Sequence, residues 1–257
     1  APVALKNELK KGSKLDIFEL LSEEKNEKLR KRVEKTATQN GMIYVADDSG
    51  TNINVQIFDM CKLAIDENEF CDYTTQPNEN PVILVMDYAF GEQAYETMEE
   101  LLKPFNEEDN TTYLDVRSVA IMGKAGILDG GKGDIMIPSA HLFEGTADNY
   151  PFKNALKKED FENQGLRVFE GAMVTVLGTS LQNRDILKFF YDSTWNVIGL
   201  EMEGAHYQKA IQAAAKLRGS IQDDVKVRYA YYASDNPLET GSTLASGGLG
   251  TTGVKPT

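Results

Sequence analysis

The sequence is poor in the residues that build staples and metal sites. Only two cysteines, Cys61 and Cys71, and two histidines, His141 and His206, occur in 257 residues. One disulfide could form, but two thiols in so long a chain point to a reducing, cytoplasmic compartment. The cysteine spacing matches no metal motif, and the histidines stand far apart with no acidic or cysteine cluster beside them, so no metal site is expected. Long apolar runs are also missing. None approaches the roughly 18–20 residues of a membrane-spanning helix, so no membrane partner is expected. The opening stretch, APVALKNELKKGSKLD, has no apolar segment of signal-peptide length. Its first residue is Ala rather than Met, so a processed or trimmed start is expected. Positive charge is scarce as well: 27 Lys and Arg against 40 Asp and Glu leave a formal net charge of −13. Such a chain repels phosphate backbones at long range, and no nucleic-acid partner is expected. A small anion is not excluded, because one local cationic pocket suffices for it.

What is present is organised in two parts. Residues 1–40 are dense in Glu and Lys, with Ile17, Leu20, Leu21, Leu29 and Val33 on one helical stripe. This spacing predicts an amphipathic helical extension. From residue 41 to 257 strands alternate with helices. MIYVA reads as a strand, INVQIFDMCKLAI has helical periodicity, and PVILVMDY reads as a buried strand followed by the helix GEQAYETMEELLKPF. Strands SVAIMG, GDIMIP and AMVTVLG come next, then a helix in LQNRDILKFFYD. VIGLEMEGAHYQKAIQAAAKL reads as a strand running into a long helix, and VKVRYAYYAS as a late strand. Alternation of this kind predicts an α/β domain, and continuous apolar strands predict a sheet covered on both faces. The tail ETGSTLASGGLGTTGVKPT reads as a loop.

In open α/β sheets, ligands bind beyond the carboxyl ends of strands, so the residues there carry the chemistry. Gly123-Lys124-Ala125-Gly126 follows SVAIM. Small residues admit close backbone approach and Lys124 adds a positive charge, though a Gly-Lys pair is also an ordinary turn. The run from Glu144 and Thr146 to Tyr150 crowds acid, hydroxyl and aromatic groups on one loop, which suits a sugar contact, an interface or a plain surface. Glu201 and Glu203 flank Met202 at the start of a helix. The helix dipole accounts for such a pair, and so does a carboxylate accepting hydrogen bonds from ribose hydroxyls. Ser234-Asp235 follows the strand VRYAYYA. Asp235 fits a helix cap or turn, and equally a general acid.

Taken in order, GKAGIL, KGDIMIP, EGTADNY, LEMEGA and ASDNP resemble the nucleoside phosphorylase and nucleosidase superfamily. The resemblance covers roughly residues 80–240, fits residues 41–79 loosely and does not reach residues 1–40. Within that superfamily the chain resembles AMP nucleosidases most. Lys124 stands where phosphorylases more often carry Ser or Thr, EGTADNY is similar to their EGTSNDY-like loop, and ASDNP with the later GVKPT is similar to their Ser-Asp-Gln-Pro and Gly-Val-Lys-Thr segments. Arg184 in LQNRDIL matches a similar Asn-Arg pair. The departures are Ile127 where a Gly is usual, Phe143 where an Arg stands nearby, and Ile121 in place of the phosphate-binding Arg of many phosphorylases. The superfamily's final helix has no counterpart before Thr257, so the chain is expected to stop short of it.

The resemblance implies a mixed, barrel-like central sheet flanked by helices, and cleavage of the N-glycosidic bond of a purine nucleotide or nucleoside. Hydrolysis of AMP to adenine and ribose 5-phosphate is the expected reaction. Phosphorolysis of a purine nucleoside is the alternative, and a non-catalytic nucleotide-binding member of the fold is the reading from another class. Asp235 is implied as general acid and Glu203 as the ribose ligand, with Met202 against the sugar. Gly123, Lys124, Glu144, Thr146, Arg184, Glu201 and Ser234 complete the implied substrate contacts. No metal or redox cofactor is required, and a homo-oligomer is expected.

Overall fold

The computed structural model describes residues 26–62, 81–161, 165–178 and 183–239. They group into two compact units, one running up to Tyr88 and the other starting at Ala89. Ile17, Leu20 and Leu21 of the expected stripe, Cys71, and the tail from Thr240 with GVKPT lie outside the described residues.

The first unit holds helix α1 (Glu27–Gln39) and strands β1 (Met42–Val45), β2 (Val55–Asp59) and β3 (Val82–Met86). Leu29 and Val33 form the half-buried stripe of α1. The strands make one antiparallel sheet in the order β1-β2-β3. Two expectations are corrected here. The helical periodicity of INVQIFDMCKLAI does not hold over its described residues 53–62, because Val55–Asp59 is the central strand of this sheet. Its run of β-branched and aromatic residues pairs on both sides, and that pairing outweighs a chance helical spacing. β3 is a strand as expected but is not buried: Val82, Ile83, Leu84 and Val85 are 59, 46, 39 and 47 % exposed. It lies at the edge of a three-stranded sheet, and an apolar run alone does not distinguish an edge from a centre.

The second unit opens with α2 (Gln93–Leu102), whose buried Ala94, Met98 and Leu102 recur every four residues on one face. A short hairpin of β4 (Phe105–Glu107) and β5 (Asn110–Thr112) follows, which the sequence pattern does not announce. The main sheet is built from β6 (Ser118–Ile127), β7 (Ile135–Phe143), β8 (Asn149–Pro151), β9 (Val168–Thr175), β10 (Val197–Glu201) and β11 (Lys226–Asp235). Helix α3 (Arg184–Tyr191) precedes β10, and α4 (Gly204–Gln212) follows it and runs on as a π-helical turn, Ala213–Arg218. The sheet is mixed, with the order β11-β6-β10-β9-β7-β8. An added antiparallel pairing of β11 with β7, Tyr231 with Met136 and Tyr232 with Ile135, closes five of these strands into a barrel. Ile127, Ile135, Met136, Met173, Leu200, Tyr229 and Tyr231 are fully buried in this unit. The expected α/β architecture with a barrel-like sheet is therefore present. No helix among the described residues is long and apolar enough to cross a membrane.

One local expectation is corrected in this unit. Gly123-Lys124-Ala125-Gly126 is not a turn but part of the second half of β6, and the chain turns only after Ile127. On the neighbouring β11, Gly123 pairs with Tyr231, Lys124 with Tyr232 and Ala125 with Ala233.

Candidate active site

The sheet register gathers the candidate carboxylates at one place. β11 and β10 flank β6 on opposite sides, with Asp235 paired to Gly126 from one side and Leu200 paired to the same Gly126 from the other. Two strand spacings, about 9–10 Å, therefore separate the end of β11 from the end of β10. Asp235 is the last residue of its strand rather than the first beyond it. The pairing slips between Ala233 and Asp235, leaving Ser234 as a bulge. Without that slip Asp235 would keep the parity of Ala233 and Ala125. With it, the register sets Asp235 level with Gly126, on the face of β6 that carries Lys124. Asp235 is only 7 % exposed, and its Oδ1 accepts from the Ser234 hydroxyl at 2.5 Å. Its Oδ2 is buried and has no hydrogen-bond partner among the described residues. A buried carboxylate oxygen without a donor is costly, which makes it a place where a ligand group belongs.

On the other side of β6, Glu201 ends β10 and is buried. Its Oε2 accepts the amides of Glu203, at 2.6 Å, and Gly204, and its Oε1 accepts the Thr175 hydroxyl. The Thr175 oxygen in turn accepts the Ala205 amide at 2.8 Å. Three otherwise unpaired amides at the start of α4 are thus satisfied by two side chains from the sheet. Burial pushes the Glu201 carboxyl up to about 7, against the pull of these donors. Gly204 permits the close docking of α4, since a Cβ there would overlap the ring of His141 and stand 2.8 Å from the Tyr231 hydroxyl. His141 is fully buried among Phe152, Tyr229 and Tyr231, and burial pulls its imidazole down to about 3, so it is neutral.

Glu203, at the first position before α4, is half-buried. Its Oε1 accepts the Gly91 amide at 3.1 Å, and burial raises its carboxyl above the usual range while the Gly91 and Met202 amides oppose the rise. The Tyr207 hydroxyl, one turn along α4, accepts the Ala89 amide at 3.0 Å. Both bonds tie the segment 89–91 to the helix start. His206 faces the Phe143 ring at 4.9 Å, and burial lowers its imidazole while nearby Glu92 opposes the shift.

The other predicted residues fall at different distances from this centre. Met202 is partly exposed between the two glutamates, and Lys124 is exposed on the Asp235 face of β6. Gly123 lies within the same strand, and Ser234 is bound to Asp235. Glu144 accepts the Leu177 amide at 2.8 Å and Thr146 accepts the Asp148 amide at 3.2 Å, so both side chains hold their own loop beside the end of β9. Arg184 is exposed at the first turn of α3, whose start is capped by Asn183. Sequence reasoning missed Thr175 and the backbone of Gly91. Neither sits in a recognisable motif, and only the fold brings them to α4.

With this geometry in place, a family model described as a family of unknown function (DUF6909) matches residues 18–257. The chain belongs to the DUF6909 family. No curated protein matches its sequence significantly. Among solved structures, this DUF6909 chain is similar to a candidate methylthioadenosine nucleosidase from Weissella paramesenteroides, at 14 % identity over 86 % of this chain and 88 % of that one, with a TM-score of 0.52. A 5′-methylthioadenosine/S-adenosylhomocysteine nucleosidase from Colwellia psychrerythraea, in complex with adenine, matches at 11 % identity over 79 and 77 % of the two chains, TM-score 0.49. An AMP nucleosidase from Bacteroides thetaiotaomicron matches at 15 % identity over 80 and 75 %, TM-score 0.48. The first of these likenesses shows a shared fold: the barrel-like sheet and its helices are those of a nucleosidase-type α/β domain.

Proposed function

We propose that this DUF6909 chain hydrolyses the N-glycosidic bond of a purine nucleotide, AMP foremost, releasing adenine and ribose 5-phosphate. The observation that carries the reading is the buried Oδ2 of Asp235, unpartnered among the described residues and set across one strand from the glutamates that open α4. Cleavage is dissociative. The bond from C1′ to the purine nitrogen breaks with its electron pair going to the base, and the ribose gains oxocarbenium character. Asp235 delivers a proton to the leaving purine, and general acid help of this kind is worth about 10²–10⁴-fold. Glu203 holds the ribose through Oε2, since Oε1 is engaged by Gly91. Met202 packs on the sugar. Water adds to C1′ and its released proton restores Asp235. Glu201 acts as a positioning residue, because both of its oxygens are committed to Thr175 and the start of α4. Lys124, on the Asp235 face, serves the 5′-phosphate, with Arg184 as a second cation. Water is favoured over phosphate as nucleophile because Ile121, where many phosphorylases place Arg, is a buried apolar residue of β6.

The reading is tested by incubating the protein with AMP, adenosine, inosine and uridine, with and without phosphate, and separating the products by chromatography. Adenine release from AMP without phosphate is the expected result. Release only with phosphate would make it a phosphorylase, and no release from any substrate would leave a nucleotide-binding protein.

A further inference from the structure

The end of β11 is gripped from a side that the proposed chemistry does not use. The loop between β6 and β7, residues 128–134, folds back against it. The Gly133 amide donates to the Ala233 carbonyl at 2.8 Å, and the Ala233 amide donates to the Asp134 carbonyl at 2.7 Å. Beyond Asp235, the Asn236 side-chain amide donates to the Gly130 carbonyl at 2.9 Å. The bulge at Ser234 and the carboxylate of Asp235 thus lie between two points of attachment to one loop.

That loop is itself held by a charge pair. The Asp134 carboxylate, 8 % exposed as a residue, accepts the Gly131 amide at 2.8 Å and two bonds from Arg167, Nε at 3.2 Å and Nη2 at 2.5 Å. Arg167 reaches there from just ahead of β9, and its guanidinium lies 5.7 Å from the centre of the Phe169 ring. Gly130 fits because it has no side chain: a Cβ would sit 2.5 Å from Ile127 Cδ1, 2.9 Å from Asp134 Oδ2 and 3.1 Å from the Phe169 ring. A two-pronged guanidinium–carboxylate pair fixes orientation as well as distance.

We propose that Asp134 and Arg167 are positioning residues for Asp235, acting through loop 128–134 to hold the bulged end of β11 in register. The proposal rests on the N-glycosidase reading for its catalytic consequence and on these contacts for its mechanical one. It accounts for how the end of β11, paired to Gly126 of β6 on one side, is also fixed on its other side. A misplacement of the order of 1 Å can cost about a hundredfold in rate, so a slack clamp would be felt in turnover.

The test uses Arg167→Met, Arg167→Lys and Asp134→Asn in the full chain, with two readouts. Hydrogen exchange at the Gly133 and Ala233 amides reports the clamp, and steady-state kinetics on AMP reports its effect. Arg167→Met is the main variant because its side chain is 67 % exposed and its loss leaves the core intact. Faster exchange at both amides, with kcat lowered about 10- to 100-fold and KM held within about twofold, is expected. Arg167→Lys should recover part of both effects, since Lys keeps the charge but not the fork. Unchanged exchange at Ala233, or a lowered Tm with kcat unchanged in the folded variant, overturns the proposal. A parent protein that cleaves no N-glycoside refutes the activity instead, and amide exchange then decides the clamp alone.

Discussion

At the scale of the residue, the most consequential atom is Asp235 Oδ2, buried and without a donor among the described residues. Replacing Asp235 by Asn keeps the shape and the bond from Ser234 but removes the transferable proton. Turnover of AMP should fall at least about a hundredfold with the fold intact. A folded Asn variant with near-normal turnover would remove Asp235 from the acid role. Glu203 makes a different kind of contribution. Its Oε1 accepts the Gly91 amide, which sets the rotamer, and its Oε2 is the oxygen proposed to accept from a sugar hydroxyl. Glu203→Gln loses charge-assisted bonds worth about 1.5–3 kcal/mol each. The variant should therefore discriminate ribose from 2′-deoxyribose substrates less than the parent does. Equal discrimination by both proteins would mean that Glu203 does not read that hydroxyl.

At the scale of the element, the junction between β10 and α4 carries the sharpest lesson about what a sequence displays. LEMEGA marks the junction, and the order of strands and helices from residue 80 onward matches the fold except for the unannounced β4, β5 and β8. What LEMEGA does not display is that its two glutamates do different work, Glu201 turned into the protein and Glu203 left half-open. That difference depends on Thr175, 26 residues upstream of Glu201 and on another strand. Gly123 to Gly126 misleads in a related way. Gly and Lys suggest a turn locally, yet the tyrosines of β11 make these positions a strand, and only tertiary pairing decides it. The same holds for Val55–Asp59. The Ser234 bulge, which turns Asp235 onto the Lys124 face, has no local signature either. Glu201 also gives this junction a pH dependence. Its carboxyl titrates near 4.5 when unfolded and about 7 when folded, because burial disfavours its charge. The folded chain therefore holds a proton that the unfolded chain releases between those values. The stability this contributes is full below about 4.5 and is lost as pH rises through about 7. A glutamine side chain cannot titrate, so the Tm advantage of the parent over Glu201→Gln should shrink between pH 5 and pH 8. An advantage that stays flat over that range would mean that the three donors outweigh burial and the carboxylate stays charged.

At the scale of the whole molecule, the net charge of −13 opposes the approach of the substrate proposed for it. AMP is an anion, and adenosine is not. The overall field acts over the Debye length, about 30 Å at 0.01 M salt and about 8 Å at 0.15 M, whereas a single lysine acts only near contact. At low salt the whole negative surface is felt and the encounter with AMP is slowed. At physiological salt that repulsion is screened, while an exposed Lys124 beside the Asp235 face still meets the phosphate at short range. So kcat/KM for AMP should rise between those two salt concentrations, and kcat/KM for adenosine should stay flat. Lys124→Ala separates the local part from the global one. It should weaken AMP by about 1.5–3 kcal/mol of transition-state binding if the contact is direct, leave adenosine unaffected, and preserve the upward salt slope for AMP. If AMP and adenosine lose equally in Lys124→Ala, the lysine is a strand residue with no part in phosphate recognition. The preference for a nucleotide over a nucleoside would then have to come from Arg184 or be given up.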